Sequence, residues 1–488
     1  MAPWLREPEY VDVLPDGTVK QLNPFTGTEV WTVAGRGHRP LGLVERAAEA
    51  LDPARAGAYC VFCERRHTDT PPEKARLIAP PMPSGRSGQA GPDTGQPVGR
   101  GPGAEAGAAD AAGAAGATSA AGPGGWRQQL LTAARDLDAT TAEFRRIPNL
   151  FEILSFDYWR ANYGYELPDD LAQHARAYVA DPAGRDHVAR LMTAKLQAMG
   201  APAAQPPTRA QLEAATGAFL ASGHDVIVAR RHFTDGALDD SQLAGAGTLT
   251  PAEHRQFVNF TVQAMTDLYR RNRYVRYVSV FQNWLKPAGA SLDHLHKQLV
   301  AIDEHGAQYE LTQASLRDDP EVFNERAVNY AAYKNLVIAE NEAAVAFAGF
   351  GHRYPTVELF SKSPAPDPWN HTPEEMNGLA DLLHAMHAAT GAAIPTNEEW
   401  HTRPVDAKLP TPWRIMLKWR VSTVAGFEGA TKIYLNTIDP YGLRDLMVPK
   451  LFALRAEGRI APEIRIATEA SCRPNPLRYT DNRGPTLF

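Results

Sequence analysis

Residues able to do chemistry are concentrated in one stretch, Asn283-Trp-Leu-Lys-Pro-Ala-Gly-Ala-Ser-Leu-Asp-His-Leu-His-Lys-Gln298. If the histidine segment is extended, period 2 puts His294, His296 and Gln298 on one face and turns Leu295 and Lys297 to the other. Two imidazoles and an amide aimed into one space suit a site better than a core. An imidazole held by a carbonyl on one nitrogen has the other nitrogen free to attack phosphorus. The glutamine is placed to donate to a phosphoryl oxygen as charge develops. Upstream, Ala288-Gly-Ala-Ser291 is small enough for backbone N–H groups to approach a phosphate. The alternative for each histidine is a satisfied polar residue on a strand; the His-x-His-x-Gln spacing beside a Gly/Ser loop favours chemistry.

A second candidate group is Cys60-x-x-Cys63. By spacing alone it is half of a metal site, a redox pair, or two ordinary thiols. No strand-to-helix junction of a thioredoxin-like unit surrounds it, and a zinc site needs two more ligands, for which histidines are the obvious donors.

The elements that must position these residues follow from pattern. Val275 to Gln282 alternates as a strand, and Gln298 to Ile302 begins another. His224-Asp-Val-Ile-Val-Ala-Arg-Arg-His232 reads as a strand ending in a histidine. Thr250-Pro-Ala-Glu253 starts a helix, with Thr as N-cap, Pro at the first position and Glu at the third. Phe257, Phe260, Ala264, Met265 and Leu268 share one side of that helix, and it ends among Arg270, Arg271 and Arg273, where the dipole favours cations. The pattern then recurs. Thr356 to Lys362 reads as a strand, Thr372-Pro-Glu-Glu375 starts a helix, and Trp413 to Trp419 is a further strand, without a His-x-His. A duplicated α+β fold with one working site follows.

Elsewhere the chain is less legible. Turn signals at Pro15-Asp-Gly17, Asn23-Pro24 and Thr26-Gly-Thr28 suggest a strand-rich opening segment. Residues 80–125 are rich in Gly, Ala, Pro and Ser and lack the large apolar residues needed to offset ordering entropy, so disorder is expected there. A helix is expected near Trp126 to Leu137, a short strand or turn over Arg146 to Leu154, and a helical insertion over 156–222. Two units result, 1–303 with the site and 304–488 as its degenerate copy.

Composition narrows the class. The 488 residues are 44% hydrophobic and 22% charged, which is ordinary for a globular protein. A net charge of -6 leaves no basic footprint, so nucleic acid is a poor partner, and a zinc-stabilised RNA-binding module is disfavoured. No apolar run reaches the roughly 18 residues of a membrane span, and the first residues lack a signal-peptide pattern. With three cysteines and no disulfide framework, the expected location is the cytoplasm.

The spacing from Asn283 through Gly289-Ala-Ser291 to His294-x-His296-x-Gln298 resembles that of the galactose-1-phosphate uridylyltransferase family, a branch of the histidine-triad superfamily that also holds nucleotide-sugar and dinucleoside-polyphosphate phosphorylases. Leu295 stands where the family usually has proline, on the far face. The resemblance implies a duplicated half-barrel, an antiparallel sheet with helices on one face. It implies one structural zinc ion held by Cys60, Cys63, His232 and His294. It makes His296 the nucleophile that takes up the nucleotidyl group of a nucleotide sugar, with Gln298, Asn283, Gly289 and Ser291 at the phosphates. Asn149 resembles the nucleoside-binding asparagine, but Leu150 replaces the acidic residue that often follows it in uridylyltransferases, which leaves the base open. Ala425-Gly-Phe-Glu428 and Asn436 resemble the segment at the sugar and phosphate; a turn carboxylate is the alternative for Glu428.

His401 resembles one ligand of a second metal site whose other histidines are replaced by Ile415-Met-Leu-Lys418, so no second metal is expected. His352, His371, His384 and His387 are expected to be surface or packing residues. The implied reaction moves a nucleotidyl group to a sugar 1-phosphate by a ping-pong route; phosphorolysis with inorganic phosphate is the alternative, and a non-catalytic nucleotide-binding protein is the reading from another class. Family members are often homodimers.

Overall fold

The computed structural model describes residues 9–35, 47–81, 123–200 and 205–481. In chain order the strands are β1 (Val11–Val13), β2 (Val19–Leu22), β3 (Glu29–Thr32), β4 (Ala75–Ile78), β5 (Arg127–Gln129), β6 (Phe144–Pro148), β7 (His224–Ala229), β8 (Tyr277–Trp284), β9 (His296–Ile302), β10 (Val337–Glu340), β11 (Ala344–Ala348), β12 (Thr356–Ser361), β13 (Thr396–His401), β14 (Arg414–Trp419), β15 (Ile433–Leu435) and β16 (Arg465–Ile466). Twelve of them form one sheet in the order β16-β10-β11-β12-β14-β13-β8-β9-β7-β6-β4-β5, and every pairing in it is antiparallel. It does not close into a barrel. The expected strand-rich opening segment is present, as β1, β2 and β3 beside β15, with β3 and β15 parallel.

Duplication is visible in the sheet order. Outward from the central β8–β13 pair, one side runs β8-β9-β7-β6-β4 and the other β13-β14-β12-β11-β10. Each is the fourth, fifth, third, second and first strand of its own set of five. The helices are α1 (Phe156–Tyr163), α2 (Asp169–Ala180), α3 (Pro182–Ala198), α4 (Arg209–Leu220), α5 (Pro251–Arg271), α6 (Ala307–Asp318), α7 (Tyr330–Tyr333), α8 (Pro373–Thr390), α9 (Gly426–Thr431) and α10 (Pro440–Ala456). Helices α5 and α8 are the repeated elements, each entering the strand nearest the centre.

Both start as the Thr-Pro-x-Glu pattern requires. The Thr250 hydroxyl accepts from the Glu253 N–H while the Glu253 carboxylate accepts from the Thr250 N–H, and Thr372 and Glu375 repeat the exchange. Each helix lies on the same face of the sheet and buries its apolar side there. Along β8, Val278, Val280, Gln282 and Trp284 point into this core, and Tyr277, Ser279, Phe281 and Asn283 lie half-buried on the open face.

The helical insertion over 156–222 is α1 to α4, and it has its own small core of Tyr178, Val179, Val188 and Leu212 packed with Leu131, Ala134 and Leu137. That packing corrects the helix expected over 126–137. Arg127–Gln129 is instead an edge strand pairing with β4, and Ala134–Ala139 is a 3-10 turn. The free edge of β4 captures the first residues, and the apolar ones after them reach the insertion without a continuous helix. Of the segment 80–125 expected to be disordered, residues 82–122 lie outside the described residues. No helix among the described residues is long and apolar enough to cross a membrane.

Candidate functional site

Four residues from three separated stretches meet at one edge of the open face. The ligand atoms of Cys60, Cys63, His232 and His294 all lie within 4.8 Å of one another. Zn–S bonds of about 2.3 Å in a tetrahedron set the two sulfurs about 3.8 Å apart; the Sγ atoms here are 3.8 Å apart. His294 presents Nδ1 at 3.4 Å from the Cys60 Sγ, and His232 presents Nδ1 at 3.4 Å from the Cys63 Sγ. On its other nitrogen, His294 Nε2 donates to the Ala229 carbonyl at 2.7 Å, which fixes the tautomer with its Nδ1 lone pair toward the cluster. The set is mostly buried, and it fits a metal ion such as zinc.

Local structure explains how Cys-x-x-Cys reaches the sheet. The Cys63 N–H donates to the Cys60 carbonyl and closes the loop, and Arg145 on β6 donates to the Phe62 carbonyl at 2.7 Å. A bond from the Cys60 thiol, together with the two imidazoles, pushes the Cys63 thiol down, while the same pairing and burial push Cys60 up. His232 stands beyond the end of β7, which stops at Ala229 rather than running on to the histidine.

His294 also precedes its strand, which begins at His296. On β9, His296 Nδ1 donates to the His294 carbonyl at 2.7 Å. Its ring packs edge-on to Phe62 with centroids 5.1 Å apart. Burial pushes the His296 imidazole down to about 4, against the opposing pull of the His294 carbonyl, so the ring is neutral near pH 7 and its Nε2 carries a lone pair. The Cys60, Cys63, His232 and His294 cluster and this ring are thus joined by one backbone carbonyl.

Gln298, two residues on, shares the open face with Phe281, its partner across β8. His224 orients it: His224 Nδ1 accepts from the Ile153 N–H, which leaves Nε2–H to donate to Gln298 Oε1 at 3.0 Å. The amide N–H₂ of Gln298 is then turned toward the open face. Asn149 sits beside the same imidazole, its Nδ2 at 3.2 Å from His224 Nε2, and its Oδ1 accepts from the Phe151 N–H in a tight turn. Phe151 and Ile153 are exposed on either side of Glu152. His224 was identified from sequence only as a strand start; its role depends on β7 pairing with β9, where Val226 faces Gln298.

Asn283, at the end of β8, accepts from Asn397 Nδ2 at 2.7 Å, and the same amide donates to the Ala288 carbonyl at 2.8 Å. Asn397, from the second half of the chain, thereby fixes both the asparagine and the Gly/Ser loop. Gly289 has φ +88°, a backbone conformation that favours glycine, and Ser291 is exposed. Glu428 and Asn436 line a different cavity, bordered by Pro287 of that loop and by Arg420. The Glu428 carboxylate accepts from the Ala425 N–H at the start of α9, as a turn carboxylate would, and Asn436 Nδ2 donates to the His352 carbonyl.

His352, His371, His384 and His387 are packing residues. His384 donates to the Leu249 carbonyl, His371 bonds the Ala365 carbonyl, and His352 and His387 pair with Glu358 and Glu398. Beneath the site, Lys297 is fully buried and pairs with Glu398 at 2.5 Å.

The fold is shared with the crystal structure of an ADP-glucose phosphorylase from Arabidopsis thaliana with bound ADP-glucose, at a TM-score of 0.52 and 17% identity over 88% of this chain and 97% of that one. A GalT-like protein of the same plant aligns at a TM-score of 0.44 and 19% identity, covering 63% of this chain and 83% of its own. The chain thus has the fold of the ADP-glucose phosphorylase, an antiparallel α+β architecture built on a duplicated set of strands. In sequence, 181 residues are 26% identical to the ADP-glucose phosphorylase of Arabidopsis thaliana, which is 36% of this chain and 52% of the relative, so the chain spans about half the length of that curated relative. Residues 14–89 and 117–479 match the family described as "Domain of unknown function (DUF4921)", and the chain belongs to that family.

Proposed function

We propose that this chain is a nucleotide-sugar phosphorylase working through a covalent nucleotidyl-histidine. The observation that carries the reading is His296, neutral, held through Nδ1 by the carbonyl of a metal-cluster residue, with Nε2 on the open face. His296 Nε2 attacks the α-phosphorus of the nucleotide sugar; the N–P bond forms as the bond to the bridging oxygen breaks, and sugar 1-phosphate leaves. Inorganic phosphate then attacks the same phosphorus, a nucleoside diphosphate departs, and the histidine is restored. Gln298 donates to the phosphoryl oxygens from the amide that His224 aims, and removal of such a donor costs about 100-fold or more. Asn283, Gly289 and Ser291 hold the remaining phosphate oxygens, Asn149 the nucleoside, and Glu428 and Asn436 the sugar side.

Phosphate is favoured as acceptor over the sugar 1-phosphate expected from the uridylyltransferase resemblance, because the similarity in sequence and the full-length similarity in fold both lead to an ADP-glucose phosphorylase. ADP-glucose is accordingly the first donor to test. Zinc is the ion proposed for Cys60, Cys63, His232 and His294; with four protein ligands it has no open position, and its part is to fix the strand that carries His296.

The experiment uses nucleotide sugars labelled at the α-phosphorus. Without acceptor, wild type should form an acid-labile, base-stable adduct that phosphate discharges as nucleoside diphosphate, and His296→Gly should form none. Discharge by sugar 1-phosphate alone would restore the transferase reading. Equal absence of label in both proteins with every donor would favour a binding protein.

A further inference from the structure

The open face that carries His296 continues across the centre of the sheet into another cavity of about 580 Å³, lined from both halves of the chain and bordered by Asn283 and Ala288. Its wall includes Tyr277 and Ser279 of β8, Glu399 and His401 of β13, Arg414 of β14 and Tyr309 of α6. Such a volume suits a small organic molecule and far exceeds that of a single water.

Several donors on the wall lack a hydrogen-bond partner among the described residues. Arg414 is 4% exposed, yet its Nη1 has no hydrogen-bond partner among the described residues. The Arg420 Nε and the Tyr309 hydroxyl, also on this wall, are in the same position. Arg414 is locked in place by the rings of Phe25 and Phe323, each 5.3 Å from its guanidinium carbon, and the nearest acidic oxygen, on Glu358, is 3.9 Å away. The one carboxylate on the wall, Glu399, is already neutralised by Lys418 at 2.5 Å. Two arginines therefore line the cavity, with only the loosely paired Glu358 and the already paired Glu399 as anions beside them. Buried donors without acceptors cost free energy, and an occupant with several acceptors recovers it.

We propose that this cavity is a second ligand site, adjoining the His296 site at Asn283, for a phosphorylated polyol of hexose-phosphate size. Its phosphate lies against Arg414, Tyr309 and Arg420, and its hydroxyls face Ser279, Asn397 and Glu399. The site is wired to the first one. Arg420 Nη1 donates to Asn397 Oδ1 at 2.7 Å, and Asn397 is the residue that holds Asn283 and the Ala288 carbonyl.

Calorimetric titration of the full chain with glucose 6-phosphate, with ADP saturating, tests the assignment without any turnover. One molecule should bind per chain. Tyr309→Phe removes only the hydroxyl and should weaken binding about tenfold, as expected for a hydrogen bond to a charged group. Arg414→Lys should weaken it further, and Glu428→Gln, in the neighbouring cavity, should leave it unchanged. Absence of binding at millimolar probe would mean a cavity filled by water and would overturn the proposal. So would an affinity untouched by Tyr309→Phe, competition with ADP, or equal affinity for inorganic phosphate, which would remove the polyol. None of these results bears on whether His296 takes up label.

Discussion

Replacing Glu398 by glutamine is the sharpest test of how the site strand is held. Lys297 lies between His296 and Gln298 and turns into the core, where it and Glu398 are both fully buried. The ammonium donates to Glu398 at 2.5 Å and to Gln282 Oε1 at 3.1 Å, and sits 4.8 Å from the centre of the Phe257 ring. Glu398 also accepts from Trp400 Nε1 at 2.5 Å and from His387 Nε2 at 2.6 Å. Burial alone would raise the Glu398 carboxyl, but Lys297 and His387 hold it well below the usual carboxylate range.

Glu398→Gln keeps the shape and an acceptor for Trp400, and leaves the ammonium buried without its counter-charge. Breaking a buried pair in this way costs about 3–5 kcal/mol, a large part of the roughly 5–15 kcal/mol that holds a domain folded. Adding Lys297→Met removes the stranded charge with little change in volume, so the double variant should recover to within about 2 kcal/mol of wild type. Urea denaturation followed by tryptophan fluorescence reads both as midpoint shifts at constant slope. A loss below about 1 kcal/mol for Glu398→Gln, or a double variant less stable than the single one, would refute the account.

Further outcomes follow from the same geometry. His232→Ala and Cys63→Ser should each lose bound metal and lower the melting temperature together; full metal content with normal melting in either would exclude the Cys60, Cys63, His232 and His294 set. Gln298→Ala should slow adduct formation about 100-fold with metal content unchanged, read by rapid-quench labelling. Burial alone would raise Glu399, but His401 and Lys418 bring it to about 2. Its stabilising contribution is therefore complete above the unfolded carboxylate value of about 4.3 and is lost as pH falls toward 2. Glu399→Gln should accordingly flatten the acid limb of a melting-temperature profile. Thr250→Ala, which removes the cap of α5, should cost about 1 kcal/mol in the same denaturation assay.

Two kinds of information built this site. The sequence determined the local parts: the Thr-Pro-x-Glu helix starts, the alternation of β8, the repeat, the helical insertion, and the group His294, His296 and Gln298. These are set by neighbours within a few residues, through capping, period and side-chain chemistry. It also misled where local signals were weak, as at 126–137, where a helix is expected and the open edge of β4 takes the first residues instead. Only tertiary structure decided that His224 orients Gln298, that Asn397 holds both Asn283 and the Gly/Ser loop, and that Lys297 finds Glu398 101 residues away. Those contacts depend on which strands pair and in what register. Register is a property of the whole sheet, fixed by the burial of one face against α5 and α8, and no local window of the chain contains it.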